Sequence, residues 1–186
     1  GQDLSRTWVT CDYFWIEGGA KPKKVTQDVS GDQLQKLLIG SRLRAYLWTL
    51  LGTRDSFIRT GYFDERMPRL QDLDYFIRFV RGNGKIINVE AEEALATYYK
   101  SDVGRSAQQV HNAFSIIMLK NQAVLRSYPY SFSKDLYYRS AKLAARFARS
   151  NNDRSAILKY ELLAARAKPM ASGKKLVRKV FDRLTS

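Results

Sequence analysis

The hydrophobic pattern of this 186-residue chain changes its period once, near residue 106, and that change limits the architectures open to it. Before that point short apolar runs of strand type alternate with short runs of helical spacing; after it every apolar run is helical. Such a sequence is expected to form an α/β part followed by an α-helical extension. Charge divides the chain at nearly the same place. Residues 1–100 carry 15 Lys/Arg against 13 Asp/Glu, whereas residues 101–186 carry 17 against 5, so almost all of the net charge of +14 lies in the helical part. The balanced half reads as an enzyme-like core and the basic half as a surface that meets something anionic.

In the first half, Trp8–Ile16 is rich in β-branched and aromatic residues and reads as one buried strand closed by Gly18-Gly19, with Cys11 an inert core residue. Lys21–Lys24 reads as a solvated turn. Gln33–Ile39 is expected to be a helix capped by Asp32 and stopped at Gly40, and Leu47–Leu51 a strand. Arg54–Arg59 predicts a helical turn ended by Gly61. Asp72–Arg81 predicts a helix with Leu73, Phe76, Ile77 and Val80 on one face. Lys85–Val89 and Ala94–Tyr99 read as strands. Beyond Ser106 three helical stripes follow: Val110, Phe114, Ile117 and Val124; Leu136, Leu143, Ala144 and Phe147; then Ile157, Tyr160 and Leu163. Pro129 and Asn151-Asn152 separate them.

Composition excludes several classes of function. No apolar run approaches the 18 or so residues that span a bilayer. A single cysteine and a single histidine exclude an intrachain disulfide and Cys- or His-rich metal centres. The expected location is cytosol-facing, and the start of the chain carries no secretory pattern. No Gly-rich phosphate loop is present; Gly82-Asn83-Gly84 follows a helix and reads as its stop. His111 reads as a packed or surface histidine. The densest polar constellation is Gly61-Tyr62-Phe63-Asp64-Glu65-Arg66 followed by Gln71-Asp72-Leu73-Asp74. Asp72 and Asp74 read either as acids of a helix's first turn or as a general base on the rim of an α/β sheet.

These two stretches, in this order and followed by Tyr75-Phe76-Ile77-Arg78, resemble the acceptor half of family 2 glycosyltransferases, inverting enzymes of the GT-A fold that use nucleotide-sugar donors. The segment from Trp48 through Arg54 is similar to the strand and turn that precede the motif in that family, and the likeness runs over residues 8–106. The resemblance implies that residues 1–103 form the C-terminal part of a GT-A domain and residues 104–186 a basic helical extension. It also implies that a donor-binding half, with its nucleotide-binding strand and D-x-D, belongs ahead of this piece. Asp72 would be the catalytic base, with Gln71 and Asp74 placing the acceptor. Trp48 and Tyr62 would stack on an acceptor sugar, or else pack in the core. Asp102 stands where the family often has a histidine, as a ligand for a divalent cation (Mn²⁺ or Mg²⁺) or as a helix cap. Arg105 would fork onto the diphosphate or remain a solvated cation.

The expected partners are a nucleotide-sugar donor and a saccharide or lipid-linked acceptor, in surface polysaccharide synthesis. Between Lys174 and Leu184 the apolar residues Leu176, Val177, Val180, Phe181 and Leu184 fill one helical arc and Lys174, Lys175, Arg178, Lys179 and Arg183 the other. That partition suits an interfacial helix on anionic lipid at the inner face of the cell membrane, or a helix docked on its own domain. The alternative for the basic half is a nucleic-acid-binding module or a non-catalytic adaptor. The tail lacks interleaved aromatics for base stacking, which disfavours nucleic acid.

Overall fold

A computed structural model describes residues 3–40, 42–100 and 106–171. The chain divides into two compact units, Gly1–Ser101 and Asp102–Ser186. The first is mixed α/β and the second is helical.

The first unit holds two three-stranded sheets. In one, β1 (Thr7–Thr10) pairs antiparallel with β4 (Leu51–Gly52) and parallel with β5 (Lys85–Asn88). In the other, β2 (Tyr13–Glu17) pairs antiparallel with β3 (Lys23–Val25) and parallel with β6 (Ala96–Lys100). The run Trp8–Ile16 is therefore two strands and not one. The break falls at Cys11-Asp12, where the Asp12 carboxylate accepts hydrogen bonds from the Gln27 backbone N–H (2.9 Å) and from Asn88 Nδ2 (2.8 Å). Those bonds draw segments from elsewhere in the unit onto the chain between the strands. Cys11 is accordingly half-buried at a crossing and not inside a strand. Lys23 and Lys24, expected in a turn, begin β3. Leu47–Thr49, expected in a strand, forms a single 3-10 turn before the two-residue β4.

Helix α1 (Gln33–Ile39) starts at Asp32, whose carboxylate accepts from the Gln35 N–H at 2.9 Å, and stops at Gly40 in the left-handed region (φ 62°). Its Gln33 closes the outer edge of β5: Nε2 donates to the Ile86 carbonyl at 2.6 Å and Oε1 accepts from the Ile86 N–H at 2.9 Å. That edge is therefore covered. Helices α2 (Arg54–Thr60) and α3 (Gln71–Arg81) follow. The expected apolar stripe of α3 is only part of what it buries, since Asp74, Tyr75 and Phe79 are buried with Leu73, Phe76 and Ile77.

The reason lies in Trp8, which is fully buried and ringed by aromatic side chains. Phe79 stacks on it at 3.7 Å between ring centroids and Tyr75 at 5.2 Å, Phe76 meets it edge-on at 5.3 Å, and Phe57 lies 5.5 Å away. Its indole N–H donates to Ser56 Oγ at 2.9 Å, so the one polar atom of the ring is satisfied. Gly52 of β4 lies against the same ring, and a Cβ there would come within 2.7 Å of Trp8 Cδ1 and 2.9 Å of Ser56 Oγ. Gly52→Ala is therefore expected to destabilise the first unit by about 1–3 kcal/mol through overpacking. A thermal melt followed by near-ultraviolet circular dichroism checks this, and an unchanged midpoint would show that the indole can shift.

In the second unit α4 (Ala107–Lys120), α6 (Tyr130–Ser150) and α7 (Arg154–Ala167) pack around Ala107, Val110, Ala144, Ala145, Phe147, Ala148 and Tyr160, and the short α5 (Gln122–Leu125) follows α4. Alanines at this seam let α6 and α7 approach closely. Ser106 and Asp153 cap α4 and α7, accepting from the N–H groups of Gln109 (3.2 Å) and Ala156 (3.0 Å). Tyr160 donates through its hydroxyl to Gln108 Oε1 at 2.9 Å. His111 packs on the Tyr160 ring, and burial holds its pKa below the ordinary 6.5. Among the described residues no helix is long and apolar enough to cross a membrane. The amphipathic segment 174–184 lies outside them.

Candidate functional site

Helix α3 begins in an unusual way. Its N-cap position is Leu70, in the left-handed region at φ 60° and with no side-chain cap, so the first turn is left to be satisfied from within. Asp72 does part of this, its Oδ1 accepting from the Leu73 N–H at 2.8 Å. Its surroundings desolvate the carboxylate and push its pKa above the ordinary 3.8, with the N–H bonds at the helix start offsetting part of that rise. A carboxylate held this way retains more proton affinity than one in water, which is the property a general base requires. Gln71, on the exposed side of the same turn, donates from Nε2 to the Met67 carbonyl at 2.9 Å and fixes the approach to the helix.

Asp74 has a different setting. It is 1% exposed and its Oδ2 receives Arg78 Nε at 3.0 Å, one turn along the helix. The same guanidinium donates to the carbonyls of Thr60 (2.6 Å) and Tyr62 (2.7 Å) and lies 5.1 Å from the centre of the Tyr75 ring. Arg78 thus ties α3 to the Gly61 loop at two carbonyls. Gly61 itself adopts φ 84°, ψ −169°, a conformation that L side chains rarely take. Asp64 is held by a fork from Arg66, at 2.9 Å to Nε and 2.8 Å to Nη2, and Phe63 packs on Tyr75 at 4.6 Å. The two sequence stretches singled out above are therefore one structural unit, a loop pinned to the start of α3. Asp74 is its internal counter-ion. Asp72 is the carboxylate of the pair left without an ion-pair partner among the described residues.

Neither Trp48 nor Tyr62 is a core residue: Trp48 is 42% exposed and Tyr62 97%. Tyr62 extends from the pinned loop. Trp48 belongs to a separate cluster of rings with Tyr13, Tyr46 and Tyr98. Sequence reading singled out Trp48 alone; the spacing Tyr13-x-Trp15 and Tyr46-x-Trp48, with Tyr98 on a later strand, carries the signal for the rest. Asp102 and Arg105 lie outside the described residues, so the structure places neither. Among the described residues no three His, Cys, Asp or Glu side chains converge to hold a metal ion. Comparison with known families, curated proteins and solved structures gives no match.

Proposed function

We propose that this chain carries the acceptor half of an inverting sugar transferase of the GT-A type, with Asp72 as its general base. The observation that carries the reading is the state of Asp72: a carboxylate desolvated at the start of α3, pushed up in pKa, beside a motif loop that Asp74 and Arg78 hold in place. The order of the two motif stretches supports it independently.

In this reading the ionised Asp72 takes the proton of an acceptor hydroxyl as that oxygen attacks the anomeric carbon of the donor. The new C–O bond forms as the bond to the nucleoside diphosphate breaks, and the electron pair leaves with the diphosphate, so the anomeric configuration inverts. Loop and helix position the acceptor, Tyr62 offering an exposed ring on the loop pinned to α3. Arg105 would contribute charge to the diphosphate. A divalent cation, with Asp102 as this chain's ligand, would neutralise the leaving group. The acceptor is a saccharide, free or lipid-linked, and the basic segment 174–184 would hold the enzyme on an anionic membrane surface.

The test is transfer from a panel of radiolabelled nucleotide sugars to saccharide acceptors by the whole protein that contains this chain, with the anomeric configuration of the product determined by NMR. Inverted product is expected. Retained configuration, or no transfer with any donor, would overturn the reading.

A further inference from the structure

The sheet β3–β2–β6 has a face whose chemistry the base at Asp72 does not use. Register sets Lys23, Trp15 and Tyr98 side by side in one row of that face, with Glu17 and Lys100 paired in the next. The segment 44–48 lies over it and adds three more side chains. Trp48 and Tyr98 lie 5.4 Å apart with planes 3° from parallel, and Tyr46 lies 5.1 Å from Trp48 and 5.8 Å from Tyr98, each at 19°. Three rings thus lie in nearly parallel planes. Tyr13, fully buried, meets both Trp48 (4.9 Å) and Tyr46 (5.7 Å) edge-on and anchors the set from within. Trp15 extends it, 4.9 Å from Tyr98.

The charges on this face are unbalanced. Arg44 lies 5.7 Å from the centre of the Trp15 ring, its Nε makes no hydrogen bond, and no carboxylate lies within ion-pair distance of it among the described residues. Lys23, beside Trp15, is exposed and likewise has no carboxylate partner among the described residues. The acid on the same face, Glu17, is taken by Lys100. Stacked rings with Trp48 exposed among them suit the apolar face of a pyranose ring, and a guanidinium and an ammonium, both next to Trp15, suit a carboxylate or another fixed anion.

We propose that the Trp15–Tyr46–Trp48–Tyr98 platform, with Arg44 and Lys23, is a subsite for a sugar bearing an anionic group, of the uronic acid class. The proposal rests on the sugar-transfer reading and adds to it the chemical class of the acceptor. Stacking rings beside cations also describe single-stranded nucleic acid sites, but those track a backbone with cations over several nucleotides. Here two cations flank one compact patch.

The experiment is a fluorescence titration of the full chain with a glucuronate-terminated disaccharide, its neutral glucose-terminated counterpart and a single-stranded oligothymidylate. The charged sugar is expected to bind about tenfold more tightly than the neutral one, the size of one charge-assisted hydrogen bond. The double variant Arg44→Gln, Lys23→Gln should lose that preference and keep the affinity for the neutral sugar. Trp48→Ala should weaken both sugars, while Trp48→Phe, which keeps a ring, should restore them even if the alanine variant melts early. Equal affinity for the two sugars overturns the inference, as does a preference that survives the double variant, or tighter Trp48-dependent binding of the oligonucleotide. Sugar binding as described without any transfer defeats the transferase reading alone; transfer that depends on Asp72 without uronate preference defeats the platform alone.

Discussion

Asp72→Asn is expected to lower transfer by about 10²–10⁴-fold, the contribution of a positioned base, while donor affinity stays as it was. Asparagine keeps the shape of the side chain and can still accept the Leu73 N–H bond at the helix start. The same substitution should make the protein more stable at neutral pH. The pKa of Asp72 is higher in the folded state than the ordinary 3.8, so folding favours its protonated form. That contribution to stability is complete below the unfolded pKa and is lost as pH rises through the folded one. At pH 7 the ionised carboxylate is a cost to the fold, and an amide removes it. A variant that melts higher and transfers least is the signature of a functional carboxylate. One that melts lower and transfers normally would return Asp72 to the role of a helix-start acid. Asp74→Asn should reduce transfer less, because the side chain acts through the loop and not on the acceptor.

Arg78→Met is expected to destabilise the first unit by about 3–5 kcal/mol, because it breaks a buried ion pair by removing one partner. The loss is larger than that of an exposed ion pair for a reason visible in the contacts. Arg78 is also the donor to the carbonyls of Thr60 and Tyr62 on either side of Gly61. For a domain of about 100 residues, that loss corresponds to a fall of more than about 10 °C in melting temperature, readable by circular dichroism. A fall of only a degree or two would mean that the loop is held by other contacts. The double change Asp74→Leu, Arg78→Met should recover much of the stability, since it removes both members of the buried pair, but leave the Gly61 loop unpinned and transfer impaired.

Local features of this fold were legible where they rest on nearest-neighbour chemistry. Asp32 before an apolar run and Gly40 after it mark a helix by capping alone, and α1 has those bounds. The helical character of residues beyond 106 follows from period, and Pro129 and Asn151 stand where helices part. What escaped is non-local. Nothing in the string Trp8–Ile16 announces that its middle is tied to Gln27 and Asn88 through Asp12, because both partners are distant in sequence. The two-residue β4 and the short β3 are strands only by virtue of the neighbours they pair with. At the site, the motif order pointed to Asp72 and Asp74 together, but spacing could not separate them. Their environments do: one carboxylate is matched with an arginine four residues on, the other is desolvated without such a match. The role of Arg78 is not legible in the motif, since its part depends on two carbonyls in a loop sixteen and eighteen residues earlier. For Trp48 and Tyr62 the sequence leaves surface stacking and core packing both open, because apolar type alone favours burial and only the packed neighbours reveal a ring left at the surface.

The central claim is that the ionisation of Asp72 gates the reaction, and the pH dependence of kcat/KM tests it most directly. A base works only when deprotonated, so the rate should fall on the acid side. The pH of that fall should lie above the ordinary carboxylate value of 3.8, in keeping with the desolvation of the side chain. The account predicts an acid limb displaced upward in the wild type and absent from the small residual activity of Asp72→Asn. An acid limb at or below the ordinary carboxylate range, or one that persists unchanged in the variant, would contradict it.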